Sequence, residues 1–291
     1  MKRSPFSFTN KHGLRIKGII FEPQGGMIHK TGVIYLPGIV LGMTAVHRLG
    51  IDIACDLQVA GFPVLLFSHS RICESEGEFF SGTSEEFANF VKKGGFVEDT
   101  MEAISAFCAK CQLDNVVLIG HCGGALTAVY TAVKHSRVKK SILISPPLVG
   151  EIQETKAMTK GQSKELLTLY KYRLFSWKSW KRLLFGQSDY GQIFRMIRTK
   201  IAGTRPPKKV AGQNPNINEQ LIRGLESIGK KTDVTVVYGD RDQGIEEFRN
   251  YHDLFQRWNI RSQILPDTSH GFVTADSMRL LMEEILALCN K

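Results

Sequence analysis

Short, apolar, β-branched runs recur along this chain with helical patterns between them, and that alternation narrows the fold class more than any other feature. Runs at residues 14–21, 31–36 (TGVIYL), 62–67 (FPVLLF), 115–119 (NVVLI), 140–144 (KSILI), 233–238 (DVTVVY) and 261–265 (RSQIL) read as strands. Most are apolar throughout instead of alternating, which marks strands buried on both faces of a parallel sheet. Helical spacing occupies 44–60, 97–111, 124–135, 246–258 and 277–289. Strand, helix, strand in that order specifies an α/β architecture: a doubly wound, mostly parallel sheet with right-handed crossovers.

The rhythm stops after residue 146 and resumes at 233, with no convincing strand between. Residues 164–185 are helical in pattern, basic, and rich in Tyr and Trp. We read 147–231 as an inserted helical, basic cap above the strand ends, and 1–146 with 232–291 as the core. Ligands bind beside such loops, at the carboxyl ends of parallel strands.

Composition agrees with a folded globular chain: 291 residues, 43% hydrophobic and 23% charged, exclude disorder and can bury a sizeable core. No run approaches the roughly 18 apolar residues a membrane span needs. The formal net charge of +10 is local. Residues 151–210 hold 14 Lys and Arg against 4 Asp and Glu, so the whole surplus falls there and the rest carries 24 of each sign. The same stretch contains Tyr170, Tyr172, Phe175, Trp177, Trp180, Phe185 and Tyr190. Basic residues interleaved with aromatics suit an anionic membrane surface, an acidic acyl-carrier protein or an anionic glycan; a solvated helix face is the plainer alternative. No nucleic-acid recognition module accompanies the charge, so nucleic acid is not an expected partner.

The amino terminus, Met1-Lys2-Arg3-Ser4-Pro5-Phe6, is basic but is followed by polar Thr9, Asn10, Lys11 and His12 instead of an apolar run, so export is not expected. Six cysteines in a chain of this length do not form a disulfide pattern, and the expected location is a reducing cytoplasm, or the membrane periphery through the basic cap. Cys108-Ala109-Lys110-Cys111 is a lone C-x-x-C without a second pair. With no glycine-rich phosphate loop and no metal-ligand cluster, neither a cofactor nor a metal is expected.

The densest chemistry lies in Val116-Val117-Leu118-Ile119-Gly120-His121-Cys122-Gly123-Gly124-Ala125: a strand, a sharp turn and a helix start. The form is G-x-C-x-G, a nucleophile elbow with Cys where Ser is usual. Gly120 and Gly124 leave room where strand and helix approach, and the helix amino terminus favours an anionic sulfur. The plainer reading is a buried cysteine in a glycine-rich turn. A nucleophile of this kind needs an acid and then a base later in the chain. Val237-Tyr238-Gly239-Asp240-Arg241-Asp242-Gln243 offers Asp242, with Asp240 as the alternative, and Pro266-Asp267-Thr268-Ser269-His270-Gly271 offers His270. Each follows a strand. His69 and His121 remain as pocket candidates. For an oxyanion hole, the backbone N–H groups of Gly123 and of Ile39, in the loop Leu36-Pro37-Gly38-Ile39, are the expected donors. Gly38 lines the same loop.

With these residues in order, the chain resembles the α/β-hydrolase superfamily over essentially its whole length. Ser75-Glu76-Gly77 through Val97-Glu98-Asp99-Thr100-Met101-Glu102-Ala103 is similar to serine-aminopeptidase-type and monoglyceride-lipase-like members. Leu169-Tyr170-Lys171-Tyr172-Arg173-Leu174-Phe175-Ser176-Trp177-Lys178-Ser179-Trp180-Lys181-Arg182-Leu183-Leu184 is similar to the cap of the exosortase A system-associated hydrolases, a resemblance that also implies Cys at the elbow. Two departures stand out: Pro37-Gly38 where His-Gly is usual, and Ser68-His69-Ser70-Arg71 where D-x-R-G is usual.

Residues and resemblance together give the expected function: a Cys-dependent acyl hydrolase or acyltransferase acting on a small-molecule ester or thioester through Cys122, His270 and Asp242 and an acyl-cysteine intermediate. The rival is a non-catalytic binding protein on the same scaffold.

Overall fold

The computed structural model describes residues 2–23, 29–38, 42–149 and 217–290. Eight strands form one sheet: β1 (Lys2–Thr9), β2 (Arg15–Glu22), β3 (Thr31–Leu36), β4 (Val64–Ser68), β5 (Asn115–His121), β6 (Val138–Ile144), β7 (Asp233–Gly239) and β8 (Arg261–Leu265). Their spatial order is β1-β2-β4-β3-β5-β6-β7-β8. β1 and β2 run antiparallel to their neighbours, and from β4 to β8 every pair is parallel. The helices are α1 (Leu49–Val59), α2 (Ser84–Lys92), α3 (Val97–Cys111), α4 (Gly123–Lys134), α5 (Glu219–Gly229), α6 (Ile245–Arg257) and α7 (Ala275–Cys289).

The apolar runs do what their composition requires. β3 to β7 are buried on both faces, and their side chains feed two cores. One lies under α3, α4, α5 and α6, with Leu118, Phe107, Leu126, Leu225 and Phe248 among its members. The other lies under α1 and α7 and holds Ile119, Ile53, Leu57 and Leu281. Each fully buried Leu, Ile, Val or Phe adds roughly 1.5–3 kcal/mol over leaving it exposed.

Strand order reverses where it matters for function. The chain passes from β3 through α1 to β4 on one side, then through α3 to β5 on the other side of β3. The helices that follow β3 and β5, α1 and α4, accordingly pack on opposite faces of the sheet.

Three elements escaped the sequence reading. β1 carries Pro5, which argues against a strand unless it lies at a sheet edge; β1 is the edge strand, and Phe6 points into the core. α2 has a capping box in which Thr83 and Glu86 bond reciprocally, a T-x-x-E signal visible in the chain. α5 falls inside 147–231 as read from sequence, yet Leu221, Leu225 and Ile228 are buried in the core beside α4. That helix packs with the core because its apolar stripe has α4 to cover it. Residues 150–216, which hold the expected basic helix, lie outside the described residues. Among the described residues no helix is long and apolar enough to cross a membrane.

Candidate active site

Cys122 sits between β5 and α4 with φ 52° and ψ −116°, a conformation that L residues rarely adopt. Such a residue costs on the order of 1–3 kcal/mol and persists only where its surroundings over-determine it. Here they do. The Cys122 N–H donates to Ile144 O at 2.9 Å and its carbonyl accepts from Ala125 N at 3.0 Å. A Cβ on Gly120 would fall 2.5 Å from Gly124 O, and one on Gly124 would fall 2.1 Å from Leu36 O and 2.5 Å from Pro37 O. Both glycines are thus required by close backbone approach. The second contact also sets the end of β3 against the start of α4, so the Pro37-Gly38 turn borders the elbow.

Gly123 is the first residue of α4 and is buried. Its N–H belongs to the first turn, where helix donors have no intrahelical acceptor. Ile39, the expected second donor, lies outside the described residues.

Asp242 and His270 come together from the loops after β7 and β8. His270 Nδ1 lies 3.0 Å from Asp242 Oδ2. Asp242 is buried, with 4% of its surface exposed, and also accepts from the Ser145 hydroxyl at Oδ2 and from Gly244 N at Oδ1, 2.8 Å away. Burial is the largest single influence on its carboxyl and pushes the pKa up. The His270 bond and charge, with the Ser145 and Gly244 donors, overcome it and hold the pKa below its ordinary value. For His270, burial lowers the pKa, but hydrogen bonds to Asp242 and to the Cys122 side chain raise it to about 10. The imidazole is bonded to a buried carboxylate, and the Cys122 side chain acts on its pKa in the same direction.

Asp240, the alternative acid, is exposed and accepts instead from Thr268 N at 3.1 Å, bracing the loop that carries His270. His121 is buried, and its Nε2–H donates to His270 O at 3.1 Å, with the two rings 5.4 Å apart. Burial, then the neighbouring His270 charge, pushes its pKa down to about 4, so it supports the His270 loop as a neutral ring. His69 bonds Thr100 Oγ1 at 3.0 Å and stacks on Phe96 at 4.3 Å; burial pushes its pKa to about 4. Neither Thr100 nor Phe96 belongs to the Cys122 group. Among the described residues no cluster of three or more His, Cys, Asp or Glu is placed to hold a metal ion.

Ser145 was not singled out from the sequence. Its signal was Ser145-Pro146-Pro147 directly after an apolar strand, a sharp exit at the carboxyl end of β6.

The chain's sequence matches no protein-family model and no curated protein. Its structure has many likenesses. An esterase from Pyrococcus furiosus superposes with a TM-score of 0.61 at 13% identity, covering 98% of this chain and 89% of that one. The α/β hydrolase GrgF from Penicillium gives 0.59 at 17%, covering 98% of each. A thioesterase domain from the curacin biosynthetic pathway gives 0.57 at 18%, covering 99% of this chain and 100% of that one. The chain has the α/β-hydrolase fold.

Proposed function

We propose that this protein is a Cys-dependent acyl hydrolase or acyltransferase acting on an ester or thioester through Cys122, His270 and Asp242. The observation that carries the reading is His270 Nδ1 held 3.0 Å from the buried Asp242 carboxylate, with the Cys122 side chain at a strained strand-to-helix turn raising the pKa of the same imidazole. The thiol proton rests on His270 Nε2, so the reacting pair is a Cys122 thiolate and an imidazolium that Asp242 holds. The sulfur attacks the acyl carbonyl carbon, and the oxyanion is held by the Gly123 N–H and by the Ile39 N–H from the loop after β3. As the tetrahedral adduct collapses, His270 returns its proton to the leaving alcohol or thiol and an acyl-cysteine remains. Water or a second acceptor then takes the acyl group by the reverse route. A thioester intermediate passes its acyl group to an amine, thiol or hydroxyl more readily than an oxygen ester does, so transfer and hydrolysis are both within its reach. The fold hosts many functions, and the esterase and thioesterase likenesses support acyl chemistry without naming a substrate. The basic stretch around Lys178, Lys181 and Arg182 suits delivery of that substrate by an anionic membrane surface, an acyl-carrier protein or an anionic glycan.

Alkylation tests the reading. At pH 6, iodoacetamide should modify Cys122 roughly 10- to 100-fold faster in wild type than in His270→Ala, because the imidazole no longer holds the thiol proton. Peptide mapping separates the site from Cys73, Cys108, Cys111 and Cys289, whose thiols burial pushes up. Equal, slow labelling in both proteins would leave a binding protein on a hydrolase scaffold.

A further inference from the structure

We propose that Ser145 is a positioning residue for Asp242, its hydroxyl fixing the carboxylate that orients His270 and keeping it ionised. The function of this contact rests on the Cys122, His270, Asp242 reading; the contact's effect on the carboxylate does not.

Ser145 is the first residue beyond β6 and is 2% exposed. It adopts φ 49°, the left-handed region that favours glycine. A turn needing only that geometry would be served better by Gly, so the side chain must repay the strain. The Ser145 N–H donates to Val237 O at 2.8 Å, and the next carbonyl, Pro146 O, accepts from the Tyr238 hydroxyl. The turn is thus tied to β7 on both sides of the residue. The hydroxyl is left to donate to Asp242 Oδ2.

Among the described residues the carboxylate accepts from Ser145 and His270 at Oδ2 and from Gly244 N at Oδ1. A buried carboxylate stays charged only while donors replace the water it has lost. The Gly244 and His270 donors come from its own loop and from the group it serves. Ser145 is the one supplied by a separate, rigid strand end, so it sets where Oδ2 sits independently of His270. No proton changes owner; the hydroxyl donates a hydrogen bond and keeps its proton.

The test pairs Ser145→Gly with Ser145→Ala. Both remove the hydroxyl, but glycine relieves the positive φ while alanine keeps it, so backbone strain and donor loss separate. In a ¹³C NMR titration, the Asp242 carboxyl of both variants should titrate about one pH unit higher than in wild type, as loss of a charge-assisted donor requires. The acid limb of Cys122 alkylation should move the same way in both, while Tm falls only in Ser145→Ala. An unchanged Asp242 titration in Ser145→Gly, or a shift that follows Tm, would overturn the proposal. A shifted carboxyl with alkylation indifferent to His270 would leave the contact standing and remove the triad reading instead.

Discussion

Two carboxylates two residues apart end up in different trades. Asp242 turns inward to His270 while Asp240 stays at the surface and holds the Thr268 N–H. Asp242→Asn should therefore cost acylation by a p-nitrophenyl ester on the order of 10²- to 10⁴-fold in kcat, since the amide no longer stabilises the imidazolium. Asp240→Asn keeps an oxygen acceptor for Thr268 and should stay within about 3-fold of wild type, the size of change expected when chemistry is untouched. Burst kinetics under single turnover distinguish the two. The sequence offers Asp242 first and Asp240 as the alternative, without separating the pair physically. Only the fold does that, because a residue's inward or outward turn depends on the neighbouring loop it meets.

Elements were legible where packing and local pattern agree. Residues 31–36 and 261–265 read as strands and form strands with those limits, and the run at 97–111 is one helix. Disagreement follows identifiable physics. The helix expected from 44 begins at 49, since Ala45, His47 and Arg48 all take positive φ and break the first turn. β1 was hidden by Pro5, whose penalty disappears at an edge. α5 was hidden by its surroundings: its own moment is clear, but the basic stretch before it drew it into the insertion. Its covered stripe makes a prediction. Leu225→Ala should lower unfolding stability by about 2–5 kcal/mol, the range for deleting a fully buried leucine, read as a lower urea midpoint. A change below about 0.5 kcal/mol would mean that α5 does not pack on α4.

At the scale of the molecule, His69 and His121 shape stability against pH in the opposite sense to His270. The pKa values of His69 and His121 are depressed to about 4, below the usual 6.5. The unfolded chain therefore binds protons that the folded one refuses, and stability present above pH 6.5 is lost as pH falls toward 4, by at most about 3 kcal/mol per ring. The His270 pKa is raised to about 10. Its contribution is complete below pH 6.5 and is lost as pH rises through 10. Urea midpoints at pH 4.5, 6.5 and 9.5 should peak at the middle value, and His270→Gln should flatten the alkaline side alone. One last feature sits far from these rings. Val149 pairs with Ile217 in an antiparallel bridge, and Asn218 N bonds Leu148 O at 3.0 Å, so the chain leaves the core and rejoins it at adjacent points. Two ends this close are spaced like the arms of a hairpin. Evolution can therefore lengthen, exchange or delete what is spliced there without redrawing the sheet.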